Sequence, residues 1–226
     1  MKNPHRKDLF PIQFYHGSVP DNDRLKELII PIIEKTKDDN PDPTEWMTHK
    51  VKTSIFNCDL NNIIFGRSKI GDEVRDQYQQ VWDSFFDGQF SIGLQETWYN
   101  YYTDGEYQEA HAHCGDWETP LHFSCVHYLS FDPKRHRGTT FNDPLEANKT
   151  ICFDERLYDW KYTPAIKEGD FVMFPAYLSH ECRASPATPD YPRITLATNI
   201  RVMSYIPNIP PKYEDTSYAD SPILHT

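Results

Sequence analysis

The sequence predicts a mainly β protein of α+β class, an antiparallel sandwich or barrel with helices packed against it. Three observations predict this. Eighteen prolines stand against nine glycines, and aromatic residues make up 14% of the 226, a balance that suits a loop-rich β protein better than a helical bundle. Helical periodicity is confined to the first 88 residues. From residue 89 to 204, short apolar segments alternate with turn residues, with no helical pattern between them.

Residues 1–20, with Pro4, Pro11 and Pro20, read as an extended lead-in carrying a short strand at Pro11–Tyr15. Between Asp21 and Lys37, Leu25, Leu28, Ile29, Ile32 and Ile33 mark one helix face, with Asp21, Asn22 and Asp23 as capping candidates. Pro31 is expected to kink or split that helix. Asp38–Pro43 is a loop, and 44–70 is poorly periodic, reading as turns and short strands. A second helix is expected over Asp72–Asp87, where Val74, Tyr78, Val81, Trp82 and Phe85 share a face and Gly88 is the stop. Strands are expected at 89–103, 107–113, 121–131, 138–142, 149–153, 170–175 and 193–204. Turns fall at 103–106 (TDGE), 132–138, 167–170 (KEGD) and the Pro-rich 184–192. The expected organisation is a single domain. Residues 1–88 form a support region integral to the fold, 89–204 the β core, and 205–226 an extended or loosely docked tail.

Composition narrows the function classes. A net charge of −11, from 23 basic and 34 acidic residues, argues against a nucleic-acid or anionic-membrane binder. The five cysteines (58, 114, 125, 152 and 182) are odd in number and lack a CxxC, which fits neither a disulfide framework nor a zinc finger and favours a reducing compartment. No apolar run approaches membrane-spanning length, and the first residues lack the apolar core of a secretory signal, so a cytoplasmic location is expected. Nothing in the sequence specifies an oligomeric state.

The densest chemical cluster is Tyr107–Asp116, which contains His111 and His113. Residues two apart in a strand project from one face, so both imidazoles can converge on one point. Sixty-nine residues after His111, a short apolar strand ends at Pro175 and His180 follows in the next loop; thirteen residues later Arg193-Ile194-Thr195 opens another strand. A jelly roll brings such an early pair near single residues of late strands. Imidazoles suit Fe(II), and three facial ligands leave positions open for a chelating co-substrate and O₂. An arginine fork suits the distal carboxylate of a 2-oxo diacid.

These segments resemble the 2-oxoglutarate/Fe(II)-dependent oxygenases in their prolyl-hydroxylase-like branch, and most of all small oxygenases of marine bacteria and phages. The resemblance rests on WYNYYTDGEYQEAHAH (98–113), FSCVHYLSF (123–131), GTTFNDP (138–144), GDFVMFPAYLSH (169–180) and RITLATNI (193–200), in that order and spacing. It implies a double-stranded β-helix (jelly-roll, cupin-like) core using Fe(II), 2-oxoglutarate and O₂. It implies hydroxylation of a C–H bond, of an amino-acid residue such as proline, with release of succinate and CO₂. It makes His111 and His180 metal ligands, and places Arg193, with Thr195 beside it, on the far carboxylate of 2-oxoglutarate; Tyr128 matches a position that often hydrogen-bonds the same carboxylate. No catalytic residue is implied beyond the metal ligands. The superfamily usually carries His-x-Asp where this chain has His-x-His; the third ligand is then His113, with Asp116 or a water as the alternatives. The substrate is a protein, a peptide or a small molecule.

Each of these residues also has a purely structural reading. A His-x-His pair is common on strands, and Arg193 can serve a buried ion pair. Tyr128 and the Trp98–Tyr102 run can simply pack. His122 and His127, five apart on one strand, are expected on opposite faces in packing or hydrogen-bonding roles, with His127 pointing away from Tyr128. His136 in KRHR reads as part of a solvated turn, and Cys114 as inert. The competing functions are another cupin-type metal enzyme with an all-histidine site, and a non-catalytic jelly-roll binding module.

Overall fold

The structure, a computed structural model, describes residues 12–40, 51–86, 90–113, 115, 121–145 and 159–205. The expected strand at 149–153, the tail beyond Tyr205, Asp116, Cys114 and Cys152 lie outside the described residues.

Three helices precede the main β region. Helix α1 (Asn22–Thr36) starts at Asp21, whose carboxylate accepts the Arg24 amide at 3.0 Å. It buries Leu25, Ile29 and Ile33. Pro31 neither splits nor ends it, contrary to expectation. Pro31 is exposed, so the carbonyl it leaves without an intrahelical donor faces water, while Ile29 and Ile33 anchor both sides of it. Helix α2 (Cys58–Phe65) occupies part of the stretch expected to hold only turns and short strands. Eight residues give the helical period little room to show, but the Asn57 side chain caps it by accepting the Leu60 amide at 3.0 Å, and Leu60 and Ile64 make an i, i+4 buried pair. Helix α3 (Lys69–Phe86) buries Val74, Tyr78, Val81 and Trp82, as the periodicity predicted.

Among the described residues ten strands form two antiparallel sheets. The larger runs in the order β1 (Tyr15–Ser18), β8 (Asp170–Pro175), β5 (Phe123–Ser130), β10 (Arg193–Tyr205), β3 (Phe90–Tyr102) and β2 (Lys52–Thr53). The smaller is β4 (Gln108–His111), β9 (His180–Cys182), β6 (Thr140–Asn142) and β7 (Lys161–Tyr162). Strand β1 sits further along the chain than Pro11–Tyr15, and the short β7 and β9 are additions to the expected set. The TDGE and KEGD turns form as expected, with Gly105 and Gly169 at φ of 75° and 82°, a region closed to most side chains.

Alternation along the strands divides the larger sheet's faces. Tyr99, Tyr101, Cys125, Leu129, Phe171, Met173, Ile194, Leu196 and Ile200 turn to the helices and pack with their buried faces. Each such side chain contributes roughly 1.5–3 kcal/mol by leaving water. The opposite face supplies Tyr128, Val172 and Phe174, which pack with Phe141 of the smaller sheet. Among the described residues no helix is long and apolar enough to cross a membrane.

His127 belongs to the helix-facing side and is fully buried, as its offset from Tyr128 predicted. Asn22 donates its amide to the Leu129 carbonyl, which leaves Oδ1 to accept from His127 Nε2–H at 2.8 Å, while Tyr78 Oη lies 3.0 Å from Nδ1 and donates to it. Both bonds suit the neutral ring. Burial lowers its pKa to about 3, opposed by the charge of Asp170. Between its ordinary value of about 6.5 and this value the unfolded chain binds a proton that the native state does not, so stability falls as pH falls, by about 1.4 kcal/mol per pH unit. Urea unfolding between pH 6 and 4 is therefore expected to show a slope about 1 kcal/mol per unit shallower in His127→Gln than in the parent; equal slopes would contradict the assignment.

Candidate metal centre

The antiparallel register of β4 and β9 sets His111 directly opposite His180, with ring centroids 4.3 Å apart. His180 thus opens a strand rather than sitting in a loop as expected; it pairs with Phe141 of β6 as well. His113, expected within a strand, lies two residues beyond the end of β4. Its backbone N–H donates to the Ala176 carbonyl at 2.9 Å, which ties it to the turn leading into β9. Its ring stands 5.2 Å from that of His111 and 5.1 Å from that of His180, and stacks on Trp98 at 5.6 Å. One nitrogen from each of the three histidines lies within 4.8 Å of the others, a spacing that a single metal ion can bridge.

The outer nitrogens are engaged. His111 Nδ1 meets the Glu109 carbonyl at 2.8 Å, His180 Nδ1 the Leu178 carbonyl at 2.9 Å, and His113 Nδ1 the Asn199 Oδ1 at 2.5 Å. A carbonyl oxygen only accepts, so each Nδ1 carries the proton and each Nε2 keeps its lone pair. Burial lowers all three pKa values, that of His113 to about 4; for His180, the neighbouring His111 and His113 lower it further. The three rings are neutral at pH 7, the form that binds a cation.

The same cavity is walled by β3 and β10 of the larger sheet, with Trp98, Asn100 and Tyr102 opposite Ala197, Thr195 and Arg193 in register. Arg193 is 2% exposed. Its Nη1 donates to the Arg137 carbonyl at 2.8 Å, and its guanidinium lies 4.2 Å over the Tyr102 ring. Its Nε is buried without a hydrogen-bond partner, as are Trp98 Nε1 and Asn100 Oδ1. Among the described residues no carboxylate forms an ion pair with Arg193. A buried cation with an idle donor fits an anionic ligand entering the cavity, and three Nε2 lone pairs fit a divalent ion; the residues present fit iron and a dicarboxylate.

Of the expected site residues, the structure brings His111, His113, His180, Arg193 and Thr195 to one cavity. Tyr128 is not on its wall: its hydroxyl is held by Thr139, donating to Oγ1 at 2.9 Å and accepting the Thr139 amide at 3.1 Å, and Thr139 itself lines the cavity. His136 is buried, not solvated. Its Nδ1 accepts the Asp132 amide at 3.0 Å and its Nε2 donates to the Tyr191 carbonyl at 3.1 Å, because the basic turn folds back on the Pro-rich loop. Asn199 was not singled out in advance. The period of two that links Arg193 to Thr195 continues through Ala197 to Asn199, and that signal was sufficient to find Asn199.

Comparison with known proteins bears on this geometry. The model of the family described as "Putative 2OG-Fe(II) oxygenase" matches residues 96–199. No curated protein matches the chain. Among solved structures, a prolyl-4-hydroxylase from Pseudomonas putida is similar over 85% of this chain and 94% of its own, with 15% identity and a TM-score of 0.54. HygX from Streptomyces hygroscopicus, with nickel, 2-oxoglutarate and hygromycin B bound, is similar over 85% and 84%, with 12% identity and a TM-score of 0.55. A Trichoplax adhaerens prolyl hydroxylase in complex with a hypoxia-inducible-factor peptide fragment is similar over 83% and 82%, with 12% identity and a TM-score of 0.53. At these identities the structural matches establish the fold, a double-stranded β-helix.

Replacing His180 by alanine is expected to weaken Fe(II) binding by more than the about 10–100-fold that follows loss of an outer-sphere partner. Anaerobic titration checks this; unchanged affinity would remove His180 from the centre.

Proposed function

We propose, from the premise that the chain is a 2-oxoglutarate- and Fe(II)-dependent oxygenase resembling the prolyl hydroxylases, that it hydroxylates a C–H bond of an amino-acid residue, with peptidyl proline the leading substrate. The balanced reaction converts substrate, O₂ and 2-oxoglutarate into hydroxylated substrate, succinate and CO₂; one oxygen atom enters the hydroxyl and the other the new succinate carboxylate. The observation that carries this reading is the sharing of one buried cavity by three neutral imidazoles and a guanidinium with an idle donor.

In this reading His111, His113 and His180 hold the iron through Nε2, and the iron supplies oxygen activation. Arg193 receives the far carboxylate of 2-oxoglutarate through Nε, and the Thr195 hydroxyl stands beside it on the same strand face. Val126, Phe174 and Ala197 line the cavity and keep water from the reacting centre. The structural relatives include one solved with a peptide fragment and one with a small molecule. The peptide reading follows the prolyl-hydroxylase likeness. A cupin-type enzyme without a keto acid leaves Arg193 with no role.

Two outcomes are expected. Anaerobic addition of Fe(II) and 2-oxoglutarate together, but of neither alone, gives a weak visible charge-transfer band; no band with both present counts against the reading. Arg193→Met raises the 2-oxoglutarate concentration for half-saturation of that band by about 10–100-fold, since a hydrogen bond to a charged group contributes about 1.5–3 kcal/mol, and leaves Fe(II) affinity unchanged. Succinate release stimulated by proline-containing peptides, and not by the same peptides with proline replaced by alanine, tests the substrate.

A further inference from the structure

Three residues from three neighbouring strands converge behind His113. Asn199 of β10 is flanked in register by Glu96 of β3 on one side and Ser124 of β5 on the other. Asn199 is 2% exposed. Its Oδ1 accepts from His113 Nδ1–H and from the Ser124 hydroxyl at 2.8 Å, and its Nδ2 donates to Glu96 Oε2 at 2.8 Å. A side-chain amide can in principle present either end to a neighbour. Here the choice is forced, because Glu96 only accepts and so takes the NH₂ end. The carbonyl end must then face His113, and an acceptor facing Nδ1 keeps the proton there. Were the amide reversed, its NH₂ would meet Nδ1, the ring would shift its proton to Nε2, and the lone pair aimed at the metal would be lost. The Nδ1 atoms of His111 and His180 meet backbone carbonyls two residues before them; that of His113 meets a side chain.

We propose that Asn199 is the positioning residue of His113, fixing its Nδ1–H tautomer, and that Glu96 fixes Asn199 in turn. The inference rests on the reading of His113 as a metal ligand. It goes beyond that reading in assigning the ligand's competence to a carboxylate on a neighbouring strand, Glu96 of β3. Glu96 itself is exposed and borders a separate groove between α2 and β3, lined by Asn61, Asn62, Gln95 and Thr97. The third ligand is thereby connected to the protein surface through one amide.

The test uses the metal-free full-length chain and then Fe(II) alone, without co-substrate. Long-range ¹H–¹⁵N correlation reads the tautomer of His113, assigned by its loss in His113→Ala. The parent is expected to show Nδ1–H. Asn199→Leu is expected to shift His113 to Nε2–H and weaken Fe(II) binding by about 10–100-fold, while Asn199→Asp combined with Glu96→Gln, which keeps an acceptor at Nδ1 and a donor between the two side chains, restores Nδ1–H and most of the lost affinity. Glu96→Ala, at an exposed position that does not threaten folding, is expected to give both tautomers and a smaller loss of affinity. Nδ1–H retained with parental affinity in Asn199→Leu overturns the proposal. If Asn199→Leu does not fold, the same result in Glu96→Ala overturns it. Parental Fe(II) affinity in His113→Ala instead overturns the ligand reading beneath it, whereas weakened binding in His113→Ala with no effect of Asn199→Leu overturns this inference alone.

Discussion

Two imidazoles face each other across an antiparallel ladder, His111 on β4 and His180 on β9, and the rest of the centre is arranged around that pair. Register is what makes the pairing. Side chains alternate with a period of two, so a slip of one residue in either strand turns one ring away from its partner. Both strands are short, four and three residues, and too few ladder bonds join them to hold the register unaided. The packing of Phe141 and Phe174 against His180, at 6.1 and 4.8 Å, supplies the remainder. These rings sit in the apolar layer between the two sheets, so the core and the candidate centre share one packing problem.

Electrostatics in this cavity is organised by desolvation. The histidines lose their charge and so take the form that can ligate a cation; Arg193 keeps its charge and stacks on Tyr102. A neutral imidazole with its outer nitrogen hydrogen-bonded is stable in a dry site, whereas a guanidinium is stable there only with partial satisfaction, a carbonyl on one side and an aromatic face on the other. The balance is incomplete at Nε, and that incompleteness is directional. It marks where an anion gains most by binding, at the opposite end of the wall from the side chain that orients His113.

Much of this was legible in the sequence, for identifiable reasons. Helices α1 and α3 carry long apolar stripes, and Leu25, Ile29 and Ile33, or Val74, Tyr78 and Val81, repeat often enough to fix a period. Helix α2 is too short for that, and only the Asn57 cap announced it. The long strands β3, β5 and β10 were readable because they are rich in β-branched and aromatic residues over many positions, whereas β7 and β9, of two and three residues, contain no period at all. The residues His111, His113, His180 and Arg193 were legible as an ordered set. The bond between the Tyr128 hydroxyl and Thr139 joins residues eleven apart, and no local pattern encodes it. Asn199 shares the period of two with Arg193 and Thr195, but its partners Glu96, His113 and Ser124 come from three other segments that only the fold brings together. His136 looked solvated because its neighbours Arg135 and Arg137 are exposed; its own burial comes from the Pro-rich loop more than fifty residues away.

The thirteen-residue strand β10 carries Arg193 at its start and Asn199 six positions on, a separation of about 20 Å at the usual strand rise. It is hydrogen-bonded on both sides, to β3 and to β5, so the chain between the two residues cannot bow out or contract. The strand acts as a ruler. A loop can absorb a change of length without moving the strands it joins, but the interval 193–199 tolerates no insertion or deletion. Either would turn one of the two side chains to the helix side and change the distance between the two anchors of the centre.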